Sequence, residues 1–514
     1  MNAHYLRLML MMALSGVLVA GLAACGDDGD GGMMGDDDDD DDDMMVGDDD
    51  DDDDMMVGDD DDDDDDAVQP VCDTDGEADE EGNFECVLAP EDEAVAELPF
   101  EDASFNNTIV DDGVVPVPGD ADPLFVLPDG DPNATGGTPP APFDTTATYR
   151  GADAPGTATD DLWWNPWVSF EGDDECPAEN TVNVTADITS DTTWTSDNCY
   201  SLDAQIFVTG ASAENPTVLT IEPGTFISGS EGANALIVTT TGQIDAEGTP
   251  EDPIIFTSGK APADRGAGDW GGVVMLGLGE LNTAEPEQNV EGLPPSLSGG
   301  NYGGSDNTHD CGTLEYVRIE YAGFVFGEDN ELNGLTVGGC GSDTTINHVE
   351  VLLGQDDGIE FFGGRVSADH LVVVDQGDDG YDFDEGWQGG LQFLVGFNTV
   401  GDRNNEWDNN SNGRRNSPFT RPTVWNATFV GNNDGQECFR LREGVQADIN
   451  NVICQDFADD QCVEIQHLET LFNVNDGTLT VSDSLFANCE TAFRFSVGDS
   501  CMADADCQPF DVTP

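Results

Sequence analysis

Between Leu332 and Gly386 one short alternation of apolar and polar positions occurs three times, in LNGLTVGG, DDGIEFFGG and DDGYDFDEG. Leu335-Thr336-Val337, Ile359-Glu360-Phe361 and Tyr381-Asp382-Phe383 each follow a glycine, at offsets of 24 and then 22 residues. Alternation with a period of two predicts a short strand with its apolar residues on one side. Recurrence at this interval predicts a repeat architecture, because one such coil cannot bury its apolar face alone.

The phrase continues as Asn405-Glu406-Trp407, Phe439-Arg440-Leu441, Val463-Glu464-Ile465 and Phe493-Arg494-Phe495, at offsets of 24, 34, 24 and 30. A second strand family runs out of phase with it: LEYVRI from Leu314, INHVEV from Ile346, ADHLVV from Ala368, LQFLVG from Leu391, WNATFV from Trp425, INNVIC from Ile449 and VSDSLF from Val481. Two families alternating at one period predict successive faces of an all-β solenoid, a right-handed parallel β-helix. Offsets above 24 fit coils carrying loops, such as Gly401 to Pro422. In this register Ile359, Phe361, Tyr381, Phe383, Trp407, Phe439, Leu441, Phe493 and Phe495 point inward.

Composition narrows the partners. The 514 residues hold 109 Asp plus Glu against 13 Lys plus Arg, a net charge of −96, and Lys260 is the only lysine. Phosphate neutralisation needs cations, so nucleic acid is excluded as a partner, and anionic lipid head groups are disfavoured. Cation binding, calcium above all, and life in high salt are the two accounts of so much acid.

Five segments make up the chain. Residues 1–24 carry Arg7 and an apolar run from Leu8 to Leu22, as a signal peptide does. The sequence Leu22-Ala23-Ala24-Cys25 resembles the lipobox of bacterial lipoproteins, which implies cleavage before Cys25 and lipidation of its thiol. Gly26 comes next, without the Asp that marks inner-membrane retention, which by the same analogy favours the outer membrane or cell surface of a bacterium. No other apolar run is long enough to span a bilayer. Residues 25–66 repeat Met-Met-(Val)-Gly plus seven or eight Asp. Self-repulsion keeps such a tract extended as a tether of at most roughly 140 Å, leaving the N-terminal lipid as the only membrane contact. Residues 67–172 are acidic, rich in Pro and Gly, and read as a linker with some extended segments packed on the β-helix. Its Trp163-Trp164-Asn165-Pro166-Trp167 is expected to cover the open first coil, the alternative being a sugar-stacking platform. Residues 173–498 form the β-helix, and 499–514 a cysteine-loop tail.

With Cys25 lipidated, twelve of the 13 cysteines remain: Cys72, Cys86, Cys176, Cys199, Cys311, Cys340, Cys438, Cys454, Cys462, Cys489, Cys501 and Cys507. An even number in an exported chain predicts disulfides, with neighbours in sequence as partners and connectivity left open. Without a CxxC pair, zinc is a poor reading.

From Thr217 the text resembles a family. VLTIEPGTFISG, ALIVTTTGQIDAEGTPEDPIIFTS and DWGGVVMLG resemble the opening coils of bacterial surface β-helix proteins, and DNELNGLTVGG, DDGIEFFGG and DDGYDFDEGW their later coils. The resemblance covers about Thr181 to Val497. It implies an exported or lipid-anchored right-handed β-helix, and it does not transfer an activity.

Right-handed β-helices elsewhere are often polysaccharide lyases and hydrolases. Polygalacturonase-like enzymes combine Asp groups with Gly-His-Gly and Arg-x-Lys. Asp356-Asp357 and Asp378-Asp379 could mimic the acids, but the other two motifs are absent. Pectate-lyase-like sites need calcium and an Arg or Lys beside the substrate. Asp378, Asp382, Arg403 and Arg440 keep that version open. His309, His348, His370 and His467 are scattered among polar neighbours and read as surface residues.

Stacking the phrases gives a column Thr336, Glu360, Asp382, Glu406, Arg440, Glu464, Arg494, with adjacent rungs ~4.8 Å apart. Like charges at that distance repel by about 1 kcal/mol in water and ~3–4 at an effective dielectric of 20. The corner around Asp356, Asp357, Asp378, Asp379, Asp382 and Asp384 is therefore the expected Ca²⁺ site, its oxygen-only ligands suiting a hard cation. The competing expectation is that Arg403, Arg440 and Arg494 neutralise the column. The function expected is surface binding or adhesion, to polysaccharide or envelope components, with calcium as stabiliser. The alternative is a calcium-dependent polysaccharide lyase or glycoside hydrolase.

Overall fold

The computed structural model describes residues 98–496 apart from 102, 111–125, 178, 294–298, 328–329, 399 and 434–435. Within them, 24 strands join in one sheet wound around a single axis, a right-handed parallel β-helix.

The repeated phrases are consecutive rungs of its first face. Leu335, Ile359, Tyr381 and Asn405 pair in register. The same ladder carries Thr336, Glu360, Asp382, Glu406, Arg440, Glu464 and Arg494 as one column. The face starts earlier, with Ile206–Val208, Ala235–Val238 and Gly272–Leu276 stacked below Leu335–Gly338.

The inward positions build the core as the alternation requires. Ile359, Phe361, Tyr381, Phe383, Trp407, Phe439 and Leu441 are fully buried, Phe493 is buried and Phe495 packs against them. Phe383 and Trp407 stack at 5.1 Å between ring centres, and Phe439 meets Trp407 edge-on at 5.1 Å. Trp387 joins this row from the following turn, 4.8 Å from Phe361.

Members of the second family are longer than the alternation suggests, because each bends and serves two faces. Thr345–Leu352 runs along the second face to Asn347, turns at His348 and continues along the third. The turn residue is left-handed in every rung: Tyr316, His348, His370, Phe393, Asn426, Asn451 and Asp483 have φ between +49° and +61°. Side chains other than Gly enter this region at a cost of about 1–2 kcal/mol, least for Asn and Asp. Ring stacking accompanies the aromatic members: His348 and His370 lie 4.3 Å apart and nearly parallel, with Tyr316 4.3 Å from His348. This corrects two expectations. His348 and His370 are half-buried corner residues, and His309 and His467 are buried. The rung after Leu391 is Val424 and not Trp425, which pairs with Gln392 on the outward side.

The stretch before the first coil lies along this corner as an arm. Phe100 packs on Phe493 of the last coil at 5.3 Å, and Thr108–Val110 adds a parallel strand to Leu485, Phe486 and Ala487. The arm then runs back toward earlier coils. Asn451 grips Gly137 in both directions, at 2.6 and 3.0 Å, and Ser169 N–H donates to Glu350 at 3.0 Å. Its apolar residues, among them Val126, Leu127, Leu162, Trp164 and Trp167, cover the outer side of Leu352, Val372, Val395 and Ile453. The tryptophans therefore seal the flank of middle coils and neither close the first coil nor form an open platform; Trp163 rests edge-on against His370 at 4.8 Å.

Among the described residues four disulfides join cysteines that are neighbours in the cysteine order: Cys176–Cys199, Cys311–Cys340, Cys438–Cys454 and Cys462–Cys489. Cys25, Cys72, Cys86, Cys501 and Cys507 lie outside the described residues. No described helix is long and apolar enough to cross a membrane.

Candidate cation-binding trough

The outer side of the first face changes character along the axis. On the early coils it is apolar, with Ala235, Ile237, Val274 and Leu276 covered by Leu281, Val290, Leu293 and Tyr302 from the excursion between Leu276 and Gly312. The cover reaches the rung of Phe362, where Leu281 presses on Gly363. A Cβ there would stand 2.2 Å from the Leu281 side chain, and φ is +58°, so only glycine suits. Beyond this rung the outward residues are charged, acids first and then acids with arginines.

Three columns of outward residues form the floor. One reads Asn333, Asp357, Asp379, Arg403, Glu437; the next Thr336, Glu360, Asp382, Glu406, Arg440; the third Phe362, Asp384, Asp408, Arg442. Two excursions meet beside this floor, one between Leu276 and Gly312 and one between Trp407 and Thr423. They are tied by Asn282, which donates to Asn409 Oδ1 at 2.9 Å and accepts from Asn410 at 3.0 Å. Tyr302 Oη donates to Glu385 at 2.7 Å, and Glu291 hangs over Glu360 and Asn333. Walls and neighbours bury the floor although it points away from the core: Asp357, Glu360, Asp379, Glu406 and Asp408 are all buried.

The trough has two tiers. In the later tier each acid meets a guanidinium. Arg403 reaches Asp379 at 3.2 Å, Glu437 at 3.3 Å and also Glu406. Arg440 holds Glu437 at 2.8 Å and Glu464 at 3.1 Å, and Arg442 holds Asp408 at 2.7 Å. In the earlier tier Asp356, Asp357, Glu360, Asp382 and Asp384 have no ion pair among the described residues. Burial, followed by neighbouring carboxylates, pushes Asp357, Glu360, Asp382 and Asp384 well above the usual carboxylate range. The same causes raise Asp356 to about 8 and, at the rim, burial raises Glu291 to about 7.

Carboxylate oxygens gather into three overlapping groups, each with its atoms within 4.8 Å of one another: Asp356–Asp357–Asp378, Asp357–Glu360–Asp382 and Asp379–Asp382–Glu406. Asp379 Oδ1 and Asp382 Oδ1 are buried with no hydrogen-bond partner. Buried polar atoms seldom stand alone. Orphaned oxygens in an oxygen-only set, held by a rigid ladder, fit a hard cation that accepts six to eight oxygen ligands in loose geometry.

A family model described as a pectate-lyase-like β-helix domain matches residues 186–507. The chain belongs to that family. Neither a curated protein nor a solved structure matches it.

In this pectate-lyase-like β-helix, five of the six acids expected to bind cation fall into the three groups. Asp384 stands apart in the third column, its nearest acidic neighbours being Asp408 and Glu385. Glu360 and Glu406 complete the groups; they were visible as column members but not as ligands, because which side of the strand the loops enclose is not written in the alternation. Neutralisation by arginine holds for the later tier alone, through Arg403, Arg440 and Arg442, whereas Arg494 donates to Gln461 at 3.1 Å. There, burial opposes the charge of Arg403, but Asp379, Glu406 and Glu437 outweigh it and raise its pKa; Arg442 is raised likewise by Asp408 and Glu406. Arginines so paired are anchored cations and poor proton acceptors.

Proposed function

We propose that this pectate-lyase-like β-helix is an exported envelope protein, lipid-anchored through Cys25, that holds Ca²⁺ in the acidic tier and binds acidic polysaccharide along the trough. The observation that carries the reading is the group Asp357, Glu360 and Asp382, whose carboxylate oxygens lie within 4.8 Å of one another and which have no ion pair among the described residues. Asp357, Glu360, Asp379, Asp382 and Glu406 would hold the ion. A bound divalent cation supplies positive charge where the chain has none. With it, an anionic glycan can lie over a protein of net charge −96.

A calcium-dependent lyase is the second reading, favoured by arginines lying one rung from the acids. Binding is preferred because each of these arginines is already engaged by carboxylates, whereas a lyase needs a free base over the substrate. Calorimetric titration of the full chain with Ca²⁺, then retention on immobilised polygalacturonate with Ca²⁺ and with chelator, tests the proposal. Calcium-dependent retention without release of unsaturated sugar supports binding. Release of unsaturated sugar converts it to the lyase reading, and retention indifferent to chelator overturns both. Membrane attachment unchanged in Cys25→Ala would overturn the anchor.

A further inference from the structure

Where the arm crosses the left-handed corner it covers a pair of histidines. His348 and His370, at φ +54° and +56°, stack with 4.3 Å between ring centres and 5° between planes. Tyr316 and Phe393 continue the stack on either side, at 4.3 and 4.7 Å. Two tryptophans of the arm stand across it, Trp163 at 4.8 Å from His370 and Trp167 at 5.7 Å from His348. Parallel imidazoles at this spacing aim their lone pairs side by side and not at one point, so they do not share a metal ion. They are also badly placed to be charged together, because two imidazolium charges this close repel, and more strongly where water is excluded.

The surroundings distinguish the two rings. Asp369 Oδ1 lies 2.5 Å from His370 Nδ1, and the arm brings the carboxylates of Asp144 and Asp153 into electrostatic range of the same ring. His348 Nδ1 meets the neutral amide of Asn347, with Glu315 one rung before that residue. Burial first, and His370 after it, push the pKa of His348 down to about 4, with Asp369 opposing them. A free imidazole titrates near ~6.5. Between those values an uncovered His348 takes up a proton that the covered one refuses, so falling pH favours the uncovered state. At higher pH the ring is neutral in both states. The carboxylates beside the arm do not supply this response. Burial raises Asp153 and also Glu350, which accepts the Ser169 N–H, so both hold a proton better when covered. Asp144, held low by Thr146, titrates further into acid.

We propose that the stacked histidines are a proton-operated latch on the arm: in mild acid they let residues 152–170 lift from the corner and uncover the apolar stripe of Leu352, Val372, Val395 and Ile453. The base of that segment stays in place. Arg150 donates to the carbonyls of Asp483, Asn133 and Asn106 and to the Thr108 hydroxyl, a clasp without an imidazole. The experiment is hydrogen exchange of the full-length chain, read by mass spectrometry at pH 7 and pH 5 and corrected for the intrinsic rate. Opening of residues 152–170 is expected to rise on the order of tenfold at pH 5, reversibly, while the core strand around Trp407 does not change. A hydrophobic dye should bind the uncovered stripe over the same pH range. His348→Asn should abolish both responses and keep the corner, because Asn426 and Asn451 already hold the equivalent position at φ +56° and +58°. Exchange at 152–170 that is unchanged or slower at pH 5, an equal rise in the core strand, dye binding without a pH step, or a rise that persists in His348→Asn overturns the proposal.

Discussion

The Asp357 carboxylate accepts the backbone N–H of Asp379, one coil further on, at 2.9 Å. A side chain of one rung is thus clamped to the main chain of the next, and the ladder fixes carboxylates in place before any cation arrives. Preorganised acids repel each other in the apo protein and recover that energy when a cation binds.

Asp382→Asn should therefore have opposite effects in the two states. In chelator it removes a charge shared by two carboxylate groups and should raise stability by about 1 kcal/mol or somewhat more. With millimolar Ca²⁺ it should lower the melting temperature relative to the parent and weaken calcium binding at least tenfold. A variant less stable in both states would show that Asp382 is an ordinary structural residue.

The raised carboxylates give the metal-free protein an inverted pH dependence. Asp356 and Glu350 lie at about 8 and Glu385 at about 7, chiefly through burial, against unfolded values near 4. Between those values the folded state binds more protons, so stability falls as pH rises. Thermal melting in chelator should give a higher midpoint at pH 5 than at pH 8. Saturating Ca²⁺ should flatten or reverse the slope, because the ion replaces the protons.

Trp407→Ala tests the core. The ring is fully buried between Phe383 and Phe439, and truncation should cost about 3–5 kcal/mol in denaturant unfolding. Trp425→Ala, at the outward position one residue from the core rung, should cost clearly less.

Asn451→Ala removes both bonds to Gly137 and puts a less suitable residue at φ +58°. Limited proteolysis should then cut the arm near residues 130–150 faster than in the parent. Asn451→Gly, which accepts the backbone angle but also lacks the amide, should lie between the two.

The first face was legible in the sequence because its signal is redundant. Each of Leu335, Ile359, Tyr381 and Asn405 comes after Gly or Asn at nearly constant spacing, and a register slip would expose every aromatic in the column. The bend at His348 and His370 was not legible, since a left-handed residue leaves no mark in hydrophobic alternation when it is not glycine. Nor was the arm: Phe100 and Trp167 find their partners hundreds of residues away or on the outer side of strands, where no periodicity announces them. The acids of the trough could be placed in columns, but their burial comes from Glu291, Tyr302 and Asn282 in an excursion without repeat character.

The strand Thr108–Val110, laid on Leu485–Ala487, bears on how such a structure stops growing. A parallel solenoid behaves like a one-dimensional polymer whose final rung offers unpaired amides to any matching strand, including one from another molecule. Here that rung receives a strand from the same chain, separated from it by more than 370 residues. Coils can be added one after another by local folding, whereas termination must wait for the longest loop in the protein to close. Until then that stretch of the rung is open to a strand from another molecule, and afterwards the chain's own strand occupies it.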